Sequence, residues 1–152
     1  MKLKITLIIV ISLLLGILVG GYLFSKTQPR SFLALNDCQN KCFNINELTG
    51  LLASVGIQNF PGLIPEVVME TDKTIVVKHP NPQASIHYLV LPKKDIKDIT
   101  EIGILEDDYL TDAFNVMRTI IEKEKLKDYK VVTNGSGIQL MRYLLFHLMA
   151  EN

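Results

Sequence analysis

Gln139-Leu-Met-Arg-Tyr-Leu-Leu-Phe-His-Leu148 is the stretch on which the reading of this chain turns. It is almost continuously apolar, and with Met149 it predicts a strand over 139–149, buried on both faces and central in a sheet. Alternation along a strand puts residues 143, 145 and 147 on one face. Just upstream, Asn134-Gly135-Ser136-Gly137 reads as a tight polar loop, and 129–133 as the strand that leads into it.

Working further outward, the acids Glu106, Asp107 and Asp108 open the most regular helix, predicted over 106–123. Its stripe is Leu110, Ala113, Phe114, Met117, Ile120 and Ile121. Residues 67–70 and 74–78 are short, β-branched and joined by Thr71-Asp72-Lys73, which predicts a hairpin; 86–91 is a further strand stopped by Pro92. Ile45, Leu48, Leu51, Leu52 and Val55 fall at helical spacing, with Asn44 as cap and Gly56 as stop. Strands at both ends with one long helix between them predict an α+β fold, an antiparallel sheet covered by helices.

The chain has 152 residues, enough for one ordinary domain. Lys+Arg and Asp+Glu number 16 each, so no basic excess points to nucleic acid, and two cysteines are too few for a disulfide scaffold. The apolar content is concentrated at the start. Ile5 to Phe24 carries no charge, with Lys2 and Lys4 before it and Lys26 and Arg30 after. Twenty residues at about 1.5 Å each cross about 30 Å of hydrocarbon. A membrane anchor over 1–24 is the first reading; a signal peptide cleaved after Val19-x-Gly21 is the other. The basic start favours an inside N-terminus and an extracytoplasmic domain. Ser12, Gly16 and Gly20 share one helix face on which two spans can approach. Residues 25–37 read as a linker and 38–152 as the folded domain.

Three stretches together resemble the histidine triad (HIT) superfamily of nucleotide hydrolases and transferases. Asn81-Pro-Gln-Ala-Ser-Ile-His-Tyr-Leu-Val-Leu-Pro-Lys-Lys94 is similar to its NPQAPGHxLVIPKKH strand, Val131-Val-Thr-Asn-Gly-Ser-Gly-Ile-Gln139 to its xVTNGPGxQ loop, and 139–148 to QxVxHxHxHL. The resemblance runs in order over about 66–149. It implies a sheet of about five strands, preceded here by the anchor, and a homodimer.

It also implies a chemistry that this chain lacks. In the superfamily the three alternating positions are histidines, and the middle one attacks the α-phosphate to form a covalent nucleotidyl intermediate. Here they are Tyr143, Leu145 and His147. Leu145 has no lone pair, so it cannot attack phosphorus. His147 stands at a phosphate-contacting position, or is a satisfied core residue. Asn134, Gly135, Gly137 and Gln139 match the nucleotide-binding loop, whose backbone N–H groups can face an anion; the alternative is an ordinary β-turn. His79 replaces an acid that holds the ribose hydroxyls. His87 stands where a structural histidine is common, and neither it nor His79 lies on the strand of the missing nucleophile.

Many bacterial relatives pair a C-x-x-C with two histidines to hold zinc. Here the cysteines are Cys38 and Cys42, one residue further apart, and one of those histidines is Tyr143. Zinc is short of ligands, while a Cys38–Cys42 disulfide and free thiols stay open. No metal or cofactor is expected. The expectation is thus a membrane-anchored, catalytically degenerate HIT protein that retains purine-nucleotide binding, touches lipid through its first helix, and binds no nucleic acid. A working phosphoramidase or hydrolase and a ligand-free membrane interaction module are the alternatives.

Overall fold

The computed structural model describes residues 2–30 and 45–151. It opens with helix α1, Lys2–Phe24, whose 23 residues reach about 35 Å. Its apolar side chains stand exposed along its length, and its mean hydropathy of 2.7 is that of a bilayer span or a signal sequence. Two hydroxyls close its last turn. Ser25 Oγ donates to the Tyr22 carbonyl and Thr27 Oγ1 to that of Phe24, both at 2.8 Å, so carbonyls without a helical partner are satisfied.

The domain is one five-stranded sheet with two long helices. The strands are β1 Val67–Glu70, β2 Thr74–Lys78, β3 Ile86–Pro92, β4 Tyr129–Val132 and β5 Phe146–Ala150; α2 spans Ile45–Asn59 and α3 Asp107–Glu124. Strand order is β1-β2-β3-β5-β4, with every neighbour antiparallel. The β1–β2 hairpin forms because Thr71 ties its own turn: its hydroxyl accepts from the amides of Lys73 and Thr74 at 3.2 and 2.9 Å. Helix α3 starts with Asp107 and Asp108 and ends on Lys125 in the left-handed region at φ 56°.

Alternation splits the sheet into two faces. Val76, Val90, Phe146 and Leu148 point to α3 and pack with Ala113, Val116, Met117 and Ile120. Removing such a side chain from water is worth about 1.5–3 kcal/mol, so this layer is the main core. Ile75, Leu91 and Tyr143 point the other way, with Val77, Leu89 and Leu145 beside them and Ile57 of α2 among them. The functional candidates lie on this second face.

Several expectations need correction. The last strand is Phe146–Ala150, not 139–149. Residues before Phe146 bond away from the ladder: Arg142 N–H donates to the Asn46 carbonyl at 2.9 Å, Tyr143 N–H to Met141 at 2.8 Å and Leu144 N–H to Ile96 at 2.6 Å. The apolar run is therefore two things, a buried irregular segment wedged against α2 and then a strand. Helix α2 continues through Gly56 to Asn59 rather than stopping there. On α3 the buried stripe includes Val116, whereas Phe114 is 55% exposed. The expectations for Asn44, Cys38 and Cys42 fall outside the described residues.

The described part of the expected linker is pinned to the domain. Gln28 donates its backbone N–H to Asp95 Oδ2 at 2.7 Å and its side-chain amide to the Asp95 carbonyl at 2.8 Å. Arg30, fully buried, meets both carboxylate oxygens of Asp95 at 2.5 and 2.7 Å, lies 3.5 Å from Glu47 and donates to the Arg142 carbonyl. Burial pushes the Asp95 carboxyl up, against the pull of the Gln28 amide and Arg30.

Candidate functional site: a neutral histidine relay beside an apolar cavity

A cavity of about 190 Å³ opens on the second face of the sheet. Leu89, Leu140, Met141, Tyr143 and Leu145 form its apolar wall, and His79, Asn134, Gln139 and His147 supply its polar groups. Six residues singled out in the sequence thus surround one space: His79, Asn134, Gln139, Tyr143, Leu145 and His147. Gly135 and Gly137 do not line it. Neither has positive φ, and the N–H groups of Ile138 and Gln139 turn inward to the Gly135 carbonyl at 3.1 and 3.2 Å. Those two amides are not presented to an anion, contrary to the expectation for this loop.

Register explains why three histidines meet here. Leu89 of β3 is opposite His147 of β5, and Val77 of β2 is opposite Leu89. His79 continues the parity of Ile75 and Val77, and its N–H donates to the His87 carbonyl at 2.9 Å. The rings of His79 and His87 stack at 4.1 Å and 12°, and His87 Nε2 lies 2.9 Å from His147 Nδ1. His87 joins the site from β3, outside the stretch that carries positions 143, 145 and 147. The parity of residues 79, 87 and 147 across adjacent strands was the available signal.

The hydrogen-bond partners fix the tautomers. The Gln83 amide donates to His87 Nδ1 at 3.1 Å, so neutral His87 carries its proton on Nε2 and donates it to His147 Nδ1. His147 then keeps its own proton on Nε2, its remaining nitrogen. The Asn81 amide likewise donates to His79 Nδ1 at 3.0 Å, leaving Nε2–H. Burial lowers His87 to about 4, helped by His79 and His147, and burial lowers His147 too. At neutral pH both are uncharged, and His147 has a hydrogen bond to give and no lone pair free to attack.

The other members divide clearly. Tyr143 is fully buried and gives its hydroxyl to the Pro92 carbonyl; burial pushes its ionisation far up. It is a packing residue with a satisfied hydroxyl. Gln139, 6% exposed, donates Nε2 to the Lys97 carbonyl at 3.0 Å, while its Oε1 is buried without a partner among the described residues. The polar rim therefore combines imidazole donors with one unsatisfied acceptor.

The three imidazoles have nitrogens within 4.8 Å of one another, a spacing compatible with a metal ion. Two features oppose coordination. A ligating imidazole directs its lone pair in the ring plane toward the ion at about 2.0–2.1 Å, and near-parallel rings stacked at 4.1 Å cannot both do so. A ligating histidine also donates its other N–H, whereas His79 and His87 each accept an amide proton there. The zinc set of the bacterial relatives does not fit either, because Tyr143 is closed off by burial and by its bond to Pro92.

Residues 63–151, more than half of the chain, match the family described as "Scavenger mRNA decapping enzyme C-term binding". The chain belongs to that family, within the histidine triad superfamily. An uncharacterised HIT-like protein of Chlamydia muridarum is 25% identical over 111 residues, covering 70% of this chain and 88% of the relative. A HIT-like protein of Chlamydia pneumoniae is 32% identical over 96 residues, covering 60% and 87%. Among solved structures, a HIT family hydrolase from Clostridium thermocellum superposes with a TM-score of 0.57 at 26% identity, covering 63% of this chain and 88% of that one.

Proposed function

We propose that this chain is a membrane-anchored histidine triad protein that has lost phosphoryl chemistry and retains a binding cavity for a purine nucleotide or nucleoside. One observation carries the reading. The position of the superfamily's nucleophile is Leu145, and His147, the histidine of that strand, holds its proton on the nitrogen not bonded to His87. Such a site offers donors and an apolar wall but nothing to attack phosphorus. The unsatisfied Gln139 Oε1 supplies an acceptor suited to a hydroxyl or amine of a nucleoside. Among the described residues no lysine or arginine lines the cavity, so recognition rests on hydrogen bonds and burial rather than on charge.

The exposed apolar α1 supports a single-pass anchor, and the lysines at its start favour a domain outside the cytoplasm. Assembly as a homodimer is supported by β4, which is a sheet edge with all four residues exposed and with exposed Phe114 nearby.

The test is a thermal-shift titration of the full chain in detergent with AMP, GMP and adenosine, run beside a turnover assay on a purine nucleoside phosphoramidate. Binding to the folded form alone at 100 times Kd stabilises it by about 2.7 kcal/mol. Shifts without turnover support the reading. Turnover sinks the loss of chemistry, and the absence of any shift sinks the retained cavity.

A further inference from the structure

Resting on the reading of α1 as a membrane span, we propose that the turn at residues 60–63 is a second membrane contact, an apolar hook seated in the headgroup boundary of the bilayer that α1 crosses. The argument begins with the clamp. Only three residues separate Phe24, the end of α1, from Gln28, whose backbone and side-chain amides both bind Asp95. Arg30 closes the clamp with its two bonds to the same carboxylate. The span therefore leaves the domain at a fixed place, and whatever surrounds its last turn is held at the membrane surface.

What surrounds it is the end of α2. Asn59 Nδ2 donates to the Leu23 carbonyl at 3.5 Å and to the Val55 carbonyl at 3.0 Å, which sets the last residue of α2 level with the last turn of the span. The chain then enters the short 3-10 turn Pro61–Leu63, closed by Leu63 N–H to the Phe60 carbonyl at 3.0 Å. Pro61 presets its first position. Ile64 packs against the second-face core and holds the base of the turn. The turn itself buries nothing: Phe60 is 44% and Leu63 81% exposed.

An aromatic and a leucine in water beside a membrane-embedded turn have an apolar environment within reach, and moving them into it is favourable. A cleft on the same side of the domain is lined by Lys26, Lys93, Lys94, Asp72, Tyr109 and Gln58 of α2. Lys93 and Lys94 are paired with Glu70 and Glu106, so Lys26, just past the end of the span, is the cation of this rim that suits a negative headgroup. The occupant of this apolar turn is thus lipid, and the consequence is a domain held in one orientation on the bilayer rather than swinging from a tether.

The chain contains no tryptophan, so single-tryptophan variants report without background. Leu14→Trp, in the span, and Leu63→Trp, in the hook, are placed separately in the full chain and reconstituted into vesicles with and without lipids brominated near the headgroup. The expected result is blue-shifted emission from both, with the Leu63→Trp signal quenched by the brominated lipid. Phe60→Trp repeats the measurement should Leu63→Trp not fold. A Leu63→Trp signal that stays red and unquenched while Leu14→Trp is buried overturns the hook and leaves the anchor standing. A blue-shifted but unquenched signal shows protein on the turn and also overturns it. Unburied Leu14→Trp removes the anchor and the hook together.

Discussion

His87 and His147 face each other across β3 and β5 with Nε2 and Nδ1 2.9 Å apart, and the Gln83 amide on the far side of His87 sets the direction of that bond. The proton order runs Gln83 to His87 to His147 and outward. For His147 to attack through Nε2, its proton would have to move to Nδ1, His87 would have to accept it on Nε2, and the displaced proton on His87 Nδ1 would meet the Gln83 N–H. The Gln83 backbone amide, acting through His87, thus decides what the last imidazole can do: it donates.

This arrangement makes stability depend on pH. The unfolded chain takes a proton on histidine near 6.5, whereas folded His87 resists it until about 4. A folded pKa below the unfolded value means that the unfolded state binds more protons as pH falls. The contribution is complete above pH 6.5 and is lost between 6.5 and 4. At about 1.4 kcal/mol per pKa unit, the loss for a group 4% exposed is on the order of 2–3 kcal/mol. Denaturant midpoints measured at pH 7.5, 5.5 and 4.5 should fall in that order, and His87→Gln should flatten the series. Equal midpoints for the natural chain across the range would remove the buried neutral relay.

Arg30 is the cation on which Asp95 depends. Replacing one partner of a buried ion pair leaves the other charge unpaired, at a cost of about 3–5 kcal/mol. Arg30→Met is expected to destabilise by that order, and Arg30→Met with Asp95→Leu to recover part of it. A double-mutant cycle by denaturant unfolding checks this; additive losses would mean that the two side chains do not act as a pair.

Gly50 sits where α2 presses on the segment before β5. A Cβ there would overlap the Arg142 backbone carbonyl oxygen and stand 2.8 Å from the carbonyl carbon, far inside van der Waals contact. Gly50 lies within α2, so no glycine-only dihedral is involved; the cause is close approach. Gly50→Ala should cost about 1–3 kcal/mol, the range for overpacking. It should also weaken adenosine binding, because Met141 and Tyr143 flank the displaced carbonyl and line the cavity. Unchanged stability and affinity would show that the segment moves freely.

The strands of the hairpin, β3 and β4, and both long helices were legible in the sequence because their periodicity comes from local alternation and from capping acids. The last strand was overextended because residues 139–149 are apolar whether they pair in a ladder or wedge under a helix. Only the amide partners of Arg142, Tyr143 and Leu144 tell these apart, and Asn46 and Ile96 lie far from Arg142 and Leu144 in the sequence, where no period can show the pairing. Within the site, Tyr143, Leu145 and His147 do line one cavity, as their spacing suggests, but only His147 stands on β5, and the irregular segment before it brings in the other two. The stack of His79 on His87 could not be read from spacing, because it depends on the register of β2 against β3. The buried Arg30 was hidden for a related reason: a basic residue after an apolar span reads as a flank, and its partner Asp95 lies across the domain.

The edge strand gives a test of assembly. Val131 and Phe114 are 38% and 55% exposed and share an apolar groove, so charges there should cost a dimer its contact without disturbing the fold. Phe114→Glu with Val131→Lys is expected to yield monomers by sedimentation in detergent, with a thermal midpoint close to that of a monomeric natural chain. A natural chain already monomeric at high micromolar concentration would remove the proposed homodimer.

The proposed loss of chemistry gives the strictest test. Removing a nucleophile commonly costs many powers of ten in rate, so the natural chain should show no measurable turnover of a purine nucleoside phosphoramidate. Leu145→His alone should restore little, because its neighbour Tyr143 has its hydroxyl committed to Pro92 and cannot orient the new imidazole. Tyr143→His with Leu145→His rebuilds three alternating histidines, and His79→Asp supplies the acid for the ribose. Exchanging a fully buried tyrosine for a smaller polar ring leaves a void and strips Pro92 of its donor, a loss of about 2–4 kcal/mol. The triple variant is therefore expected to be less stable than the natural chain and yet the first to turn over. Its His79→Asp change also removes the ring stacked on His87, so the His87 imidazole should titrate closer to its ordinary value, visible by NMR independently of any activity. Robust turnover by the natural chain, abolished by His147→Ala, would reverse the reading and make His147 a working residue despite its proton.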